Sequence, residues 1–182
     1  MKAAKRADGQ GVLRCAEKAL ALGVPEQVRF ELYMAENEAL QFLGQREAQL
    51  SKLHAAVQTA RNDAERARAL TELVKWNTVR DPSVAVGTGA RAVEAARACG
   101  SVEVLVLALG RQGLALIALG RLDEAQRSLR EAESMAEQCP VHVQALLAGW
   151  LGHAATARGK LGDRLHYFVE NANVHCALPV SG

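Results

Sequence analysis

The chain is poor in several things at once. Aromatic residues make up 4% of its 182 residues, and prolines number four. Runs of β-branched residues are scarce. An all-β fold draws on both aromatic and β-branched side chains, so this composition argues against one. Cysteines number four, and Cys15, Cys99, Cys139 and Cys176 are widely spaced with no C-x-x-C pair. A disulfide framework is therefore not expected; reduced, mostly buried thiols in a cytoplasmic protein are. No apolar run approaches the roughly 18 residues needed to cross a bilayer; Leu114 to Leu119 is typical of the longest. Met1 to Gln10 is basic, but no apolar stretch follows, which is unlike a secretory signal. Net charge is only +2, so neither nucleic acid nor an anionic membrane is an expected partner.

What is abundant is alanine, with 34 residues, inside a hydrophobic content of 49%. That favours helix and supplies a core. The apolar residues also repeat. Leu129, Ala132 and Ala136 are spaced 0, 3, 7, one stripe of a helix. The same triplet occurs as Leu13, Ala16, Leu20, as Leu53, Ala56, Ala60, and as Gly89, Ala92, Ala96. A degraded copy is Phe168, Asn171, His175. The first residues of these triplets step by 40, 36, 40 and 39.

A second series runs in phase with the first. Leu40, Trp76, Leu116 and Ala155 each stand 13 residues before a triplet. Four residues after each comes a helix stop: Gly44, Arg80, Gly120, Gly159. Gly113 and Gly152 each stand seven residues before their stop. A glycine costs about 1 kcal/mol inside a helix, so its recurrence at one phase points to close helix–helix approach. The unit is helix, tight turn, helix. First helices are predicted near 26–43, 64–79, 102–119 and 141–158. Second helices are predicted near 46–61, 83–99, 122–138 and 162–173. Asp81-Pro82-Ser83 opens one of them with proline in a permitted first-turn position.

These features resemble the tetratricopeptide repeat. The clearest copy holds Gly113, Leu116, Gly120, Leu122, Ala125, Leu129 and Ala132. Elsewhere the pattern is degraded: Asn37 replaces the helix glycine, Gln49 and Arg164 replace a small alanine, and Gly89 stands where a large residue is usual. Units longer than the family norm, with endings such as Ala60-Arg61 and Ala96-Arg97, look like the divergent repeats of bacterial signalling proteins. The resemblance implies an all-α fold, a right-handed superhelical solenoid of about four helix-turn-helix repeats plus an extra N-terminal helix. Residues 1–24 would form that orphan or capping helix. Residues 25–174 would form the array, with units at 26–61, 64–99, 102–138 and 141–173. Residues 175–182 would form a tail. The unpaired first helix reads equally as a cap or as the edge of a longer protein. Trp76 and Gly89, the bulkiest and smallest residues at their phases, are expected to fill one another's space.

In the family, first helices line a concave groove. Carried onto this sequence, the groove positions are Met34, Glu38 and Gln41, then Leu70, Val74 and Asn77, then Leu107, Arg111, Leu114 and Ile117, then His153 and Thr156. Some members clamp a terminal carboxylate with Lys, Asn and Arg. Met34 and Glu38 stand where such a clamp needs Lys and Asn, so that mode is not expected. An apolar stripe with polar ends suits a helical or extended apolar peptide.

Catalytic signals are absent. Gly87-Thr88-Gly89 follows helical sequence and lacks a third glycine, and no phosphate-loop, zinc-protease or serine-hydrolase motif occurs. Cys139-x-x-His142 with His175-Cys176 is not a known zinc spacing. No enzyme activity, metal or cofactor is expected. The expected function is a protein-interaction scaffold, as part of a bacterial regulatory protein. The alternative is a self-association module with Leu13, Leu20 and Leu22 as contacts.

Overall fold

The computed structural model describes residues 2–159, with side-chain environments from residue 8 onward. All the regular structure in that span is helical. Eight α-helices follow one another: α1 Lys2–Ala21, α2 Glu26–Leu43, α3 Arg46–Thr59, α4 Asp63–Thr78, α5 Pro82–Cys99, α6 Val102–Ala118, α7 Leu122–Glu133 and α8 Val141–Ala157. A short 3-10 turn, Ala136–Gln138, links the last two.

Local chemistry explains the boundaries. Asn62, Asp81 and Ser101 each accept a hydrogen bond from a backbone N–H of the first turn they precede, which satisfies a donor that has no partner inside the helix. Pro82 occupies the first turn of α5 as expected. Glu65 closes a reciprocal cap on α4: Asn62 accepts from the Glu65 N–H, while the Arg61 N–H donates to the Glu65 carboxylate at 2.9 Å. That N–H, together with the Arg61 guanidinium, holds the Glu65 carboxyl below the usual glutamate range. Gly44 and Gly120 end α2 and the turn after α6 at φ +73° and +79°, a conformation that costs other residues. At the equivalent place α4 has no glycine. It stops instead where the Asn77 carbonyl accepts from both Arg80 and Asp81.

The observed helices match the predicted spans closely, with one difference. The segment predicted as one helix over 122–138 is broken after Glu133. Ser134 Oγ donates to the Glu131 carbonyl at 2.8 Å, a local bond that competes with helix continuation. The extra N-terminal helix expected within residues 1–24 is α1, Lys2–Ala21. The predicted helix at 162–173 lies outside the described residues.

Neighbouring helices pack as antiparallel pairs, α2 with α3, α4 with α5, and α6 with α7. First helices also meet across pairs, α4 against α6 and α6 against α8. The largest apolar cluster runs from Ala67 and Leu70 through Val106, Leu109 and Leu129 to Leu147 and Trp150. A much smaller one joins Phe30, Ala56 and Ala69. Close approach at Gly113 is real: a Cβ there would come within 2.7 Å of Leu129 Cγ. In the α2–α3 pair, where Asn37 and Gln49 replace the small residues, the two amides bond to each other at 3.0 Å. Beside them the fully buried Glu36 meets Lys52 Nζ at 2.8 Å. Neither Glu36 oxygen accepts an aligned hydrogen bond among the described residues, so this is a charge contact. Lys52 in turn lies over the Tyr33 ring.

Trp76 does not fill the space left by Gly89. The Gln112 side chain does, with its Cγ 3.1 Å from where a Cβ would stand. Trp76 Nε1–H instead donates to the Arg46 carbonyl at 3.1 Å, and Arg80 stacks on its ring 4.2 Å from the centroid. A polar indole edge finds its carbonyl at the helix–turn junction rather than in an apolar gap. The thiols also differ from expectation. Cys139 is buried, Cys99 half-buried and Cys15 exposed, while Cys176 lies outside the described residues.

Candidate functional site

Three first helices bound a concavity of about 610 Å³. From α2 it takes Met34, Ala35, Glu38, Gln41 and Phe42, with Glu31 and Asn37 at its edges. From α4 it takes Arg68, Thr71, Glu72 and Lys75, and from α6 Val104 and Leu107. α4 lies between the other two and provides the floor. Its lining is mixed: apolar side chains from α2 and α6 face a row of charges on α4.

Those charges are tied into the walls. Arg68 donates to both oxygens of Glu31, at 2.8 and 3.4 Å. Lys75 Nζ donates to Glu72 at 3.1 Å and to Gln41 Oε1 at 3.0 Å. The Arg68–Glu31 and Lys75–Gln41 bonds bridge α2 to α4 and hold the α2 wall against it. Thr71, which is buried, turns its hydroxyl back to the Ala67 carbonyl at 2.7 Å.

Four of the twelve groove residues expected from the sequence line this concavity: Met34, Glu38, Gln41 and Leu107. The others fall elsewhere. Leu70 and Val74 are 1% and 0% exposed; Leu70 is in the main cluster, and Val74 packs with Ala85 and Ala115. Asn77 is buried at the α4 stop. These three are therefore core, not groove. The cause is rotational. One residue turns a helix by about 100°, and on α4 the groove stripe is Thr71 and Lys75, one position beyond Leu70 and Val74.

On α6, Leu114 and Ile117 are half-buried against the main cluster. Arg111 is half-buried with its guanidinium 5.1 Å from the Trp150 ring centroid. Burial pulls the Arg111 pKa down, and the nearby Glu72 opposes that shift. His153 and Thr156 are exposed on α8, and Thr156 Oγ1 donates to the Gly152 carbonyl. They do not join the concavity.

The sequence reading missed Arg68, Thr71, Glu72 and Lys75, the charged floor. The spacing 68, 72, 75 is itself a helical stripe, but a charged one, and the apolar stripe beside it is the stronger signal in the sequence. It also missed Trp150. The Gly110 that receives it was a usable signal, because a mid-helix glycine implies close approach as much as Gly113 does.

No cluster of three or more His, Cys, Asp or Glu side chains able to hold a metal occurs among the described residues. His175 and Cys176 lie outside them. Among those residues no helix is long and apolar enough to cross a membrane. No protein-family model matches the chain, and no curated protein matches it.

Proposed function

We propose that the chain is a protein-interaction scaffold of the tetratricopeptide type, in which successive helix pairs stack into a superhelical array. We further propose that the groove across α2, α4 and α6 receives a peptide segment of another protein. The observation that carries this is the place of the concavity. Its lining comes from consecutive first helices, Met34 on one side and Leu107 on the other, over the α4 floor. The helix order and the cross-pair contacts of α4 with α6 and α6 with α8 support stacking of this kind.

A width spanned by apolar side chains on facing helices suits one peptide helix or an extended strand. A place within a bacterial regulatory protein in the cytoplasm remains part of this proposal, resting on the sequence resemblance.

The test is affinity capture from cell lysate with the wild type and a Met34→Glu/Leu107→Glu variant, whose folding is checked by circular dichroism. Both side chains are half-buried, each bordering the groove and packing on an apolar cluster, so retention is read only once the double variant shows wild-type helicity. Specific loss of a retained protein supports the reading. Equal retention by both refutes it.

A further inference from the structure

We infer that the groove's occupant carries a lysine or arginine beside its apolar contacts, seated against Glu38. This rests on the reading of the groove as a peptide-binding surface and specifies the chemistry of the peptide. The argument is one of charge pairing. Both cations of the lining are already engaged inside the wall, Arg68 by Glu31 and Lys75 by Glu72 and Gln41. Glu38, on the same face of α2 as Met34 and Gln41, forms no hydrogen bond or ion pair among the described residues. It is exposed, and water satisfies it while the groove is open.

An occupant changes that. Covering an ionised carboxylate without a partner is costly, whereas an opposite charge on the occupant turns the same burial into attraction and sets register. An acidic peptide or a free terminal carboxylate would meet Glu38 directly. Among the lining residues it would find no cation free unless it broke the Arg68 or Lys75 pair; the half-buried Arg111, near Glu72, lies outside the lining and is stacked on Trp150. The groove therefore selects for a basic residue and against an acidic one, with Met34 and Leu107 supplying apolar contact on either side.

The test is selection from a randomised displayed-peptide library on the full chain. Four proteins are compared: wild type, Glu38→Gln, Glu38→Lys and Met34→Glu/Leu107→Glu, each checked for helicity by circular dichroism. Peptides enriched by the wild type should be rich in Lys or Arg. The bias should vanish with Glu38→Gln and turn toward Asp or Glu with Glu38→Lys. For one selected peptide, replacing its basic residue by Gln should weaken binding to wild type by about fivefold, the scale of a partly exposed ion pair, and leave binding to Glu38→Gln unchanged. Enrichment that is lost in the double variant but blind to the charge at position 38 overturns the inference and leaves the groove reading standing. Enrichment that survives in the double variant, or no enrichment by any protein, overturns the groove reading itself. A wild-type dimer that the double variant dissociates would make a second copy the occupant and overturn both.

Discussion

The indole of Trp150 lies directly on the backbone of Gly110. A Cβ at Gly110 would overlap Cζ3 and Cε3 of the ring, with Cη2 only 3.1 Å away. This contact docks α8 onto α6, and Arg111 covers the ring from the next position along α6. Gly110→Ala is expected to lower stability by about 1–3 kcal/mol or more, because the added methyl displaces a buried ring rather than a flexible chain end. Thermal unfolding of Gly110→Ala, Trp150→Leu and the double variant checks this. The double variant should be more stable than the sum of the single effects allows. Strict additivity would contradict the contact.

The buried Glu36–Lys52 pair gives an asymmetric expectation. Lys52→Met removes the cation and leaves a fully buried carboxylate without its ionic partner. The expected cost is about 3–5 kcal/mol at neutral pH. Replacing both, as Glu36→Leu/Lys52→Met, should recover most of that loss. Chemical denaturation of the three variants measures it, and a single variant no less stable than the double would be inconsistent with the pairing.

A core position on α4 and a groove position on α6 should respond differently to charge. Val74→Glu buries a carboxylate among Ala85 and Ala115 and is expected to unfold the chain. Leu107→Glu, at a half-buried position that borders the concavity and the edge of the main cluster, should cost far less helicity. Circular dichroism melts distinguish the two.

Thiol reactivity should follow burial. Among the described thiols Cys15 is exposed and should react first with an alkylating reagent, and Cys139 last. Burial, with the Glu103 carboxylate nearby, pushes the Cys139 thiol up, so less of it is thiolate at neutral pH. Timed alkylation with peptide mapping gives the order.

Acid should weaken the start of α4. The Glu65 carboxyl is held below its ordinary value of 4.5, chiefly by the Arg61 N–H. A depressed carboxyl contributes stability that is complete above the unfolded value and is lost as pH falls through the folded one. Glu65→Gln should therefore narrow the difference in Tm between pH 7 and pH 3. An unchanged difference would count against the cap.

How far the sequence could be read depended on what set each feature. α2 is predicted at 26–43 and observed at Glu26–Leu43 because an apolar period and a terminal glycine both mark it. Gly113 was legible because only a close neighbour justifies a glycine there. The α4 stripe was not legible, since α4 is touched by α3, α5 and α6 and nearly every turn of it carries apolar residues. Which of two adjacent stripes faces the groove is then decided by the neighbours, not by the helix itself. The Asn37–Gln49 bond was hidden for a related reason. Two departures from the repeat pattern look like decay when read singly, and become one interaction only when α2 and α3 are laid side by side.

Two of the apolar clusters, unequal in size, border the concavity: Leu107 packs on the large one and Met34 on the small one. The α4 and α6 sides grow out of the large cluster, whereas α2 rests on Phe30, Ala56 and Ala69 and on polar pairs with α3. The two sides of the concavity are thus supported unequally: the α6 side is packed on the large core, and the α2 side is tied to α4 by Arg68–Glu31 and Lys75–Gln41. Local opening draws on the less heavily buried elements first, so if a peptide occupies the groove as proposed, the α2 side is where those ties would yield to a bulky one.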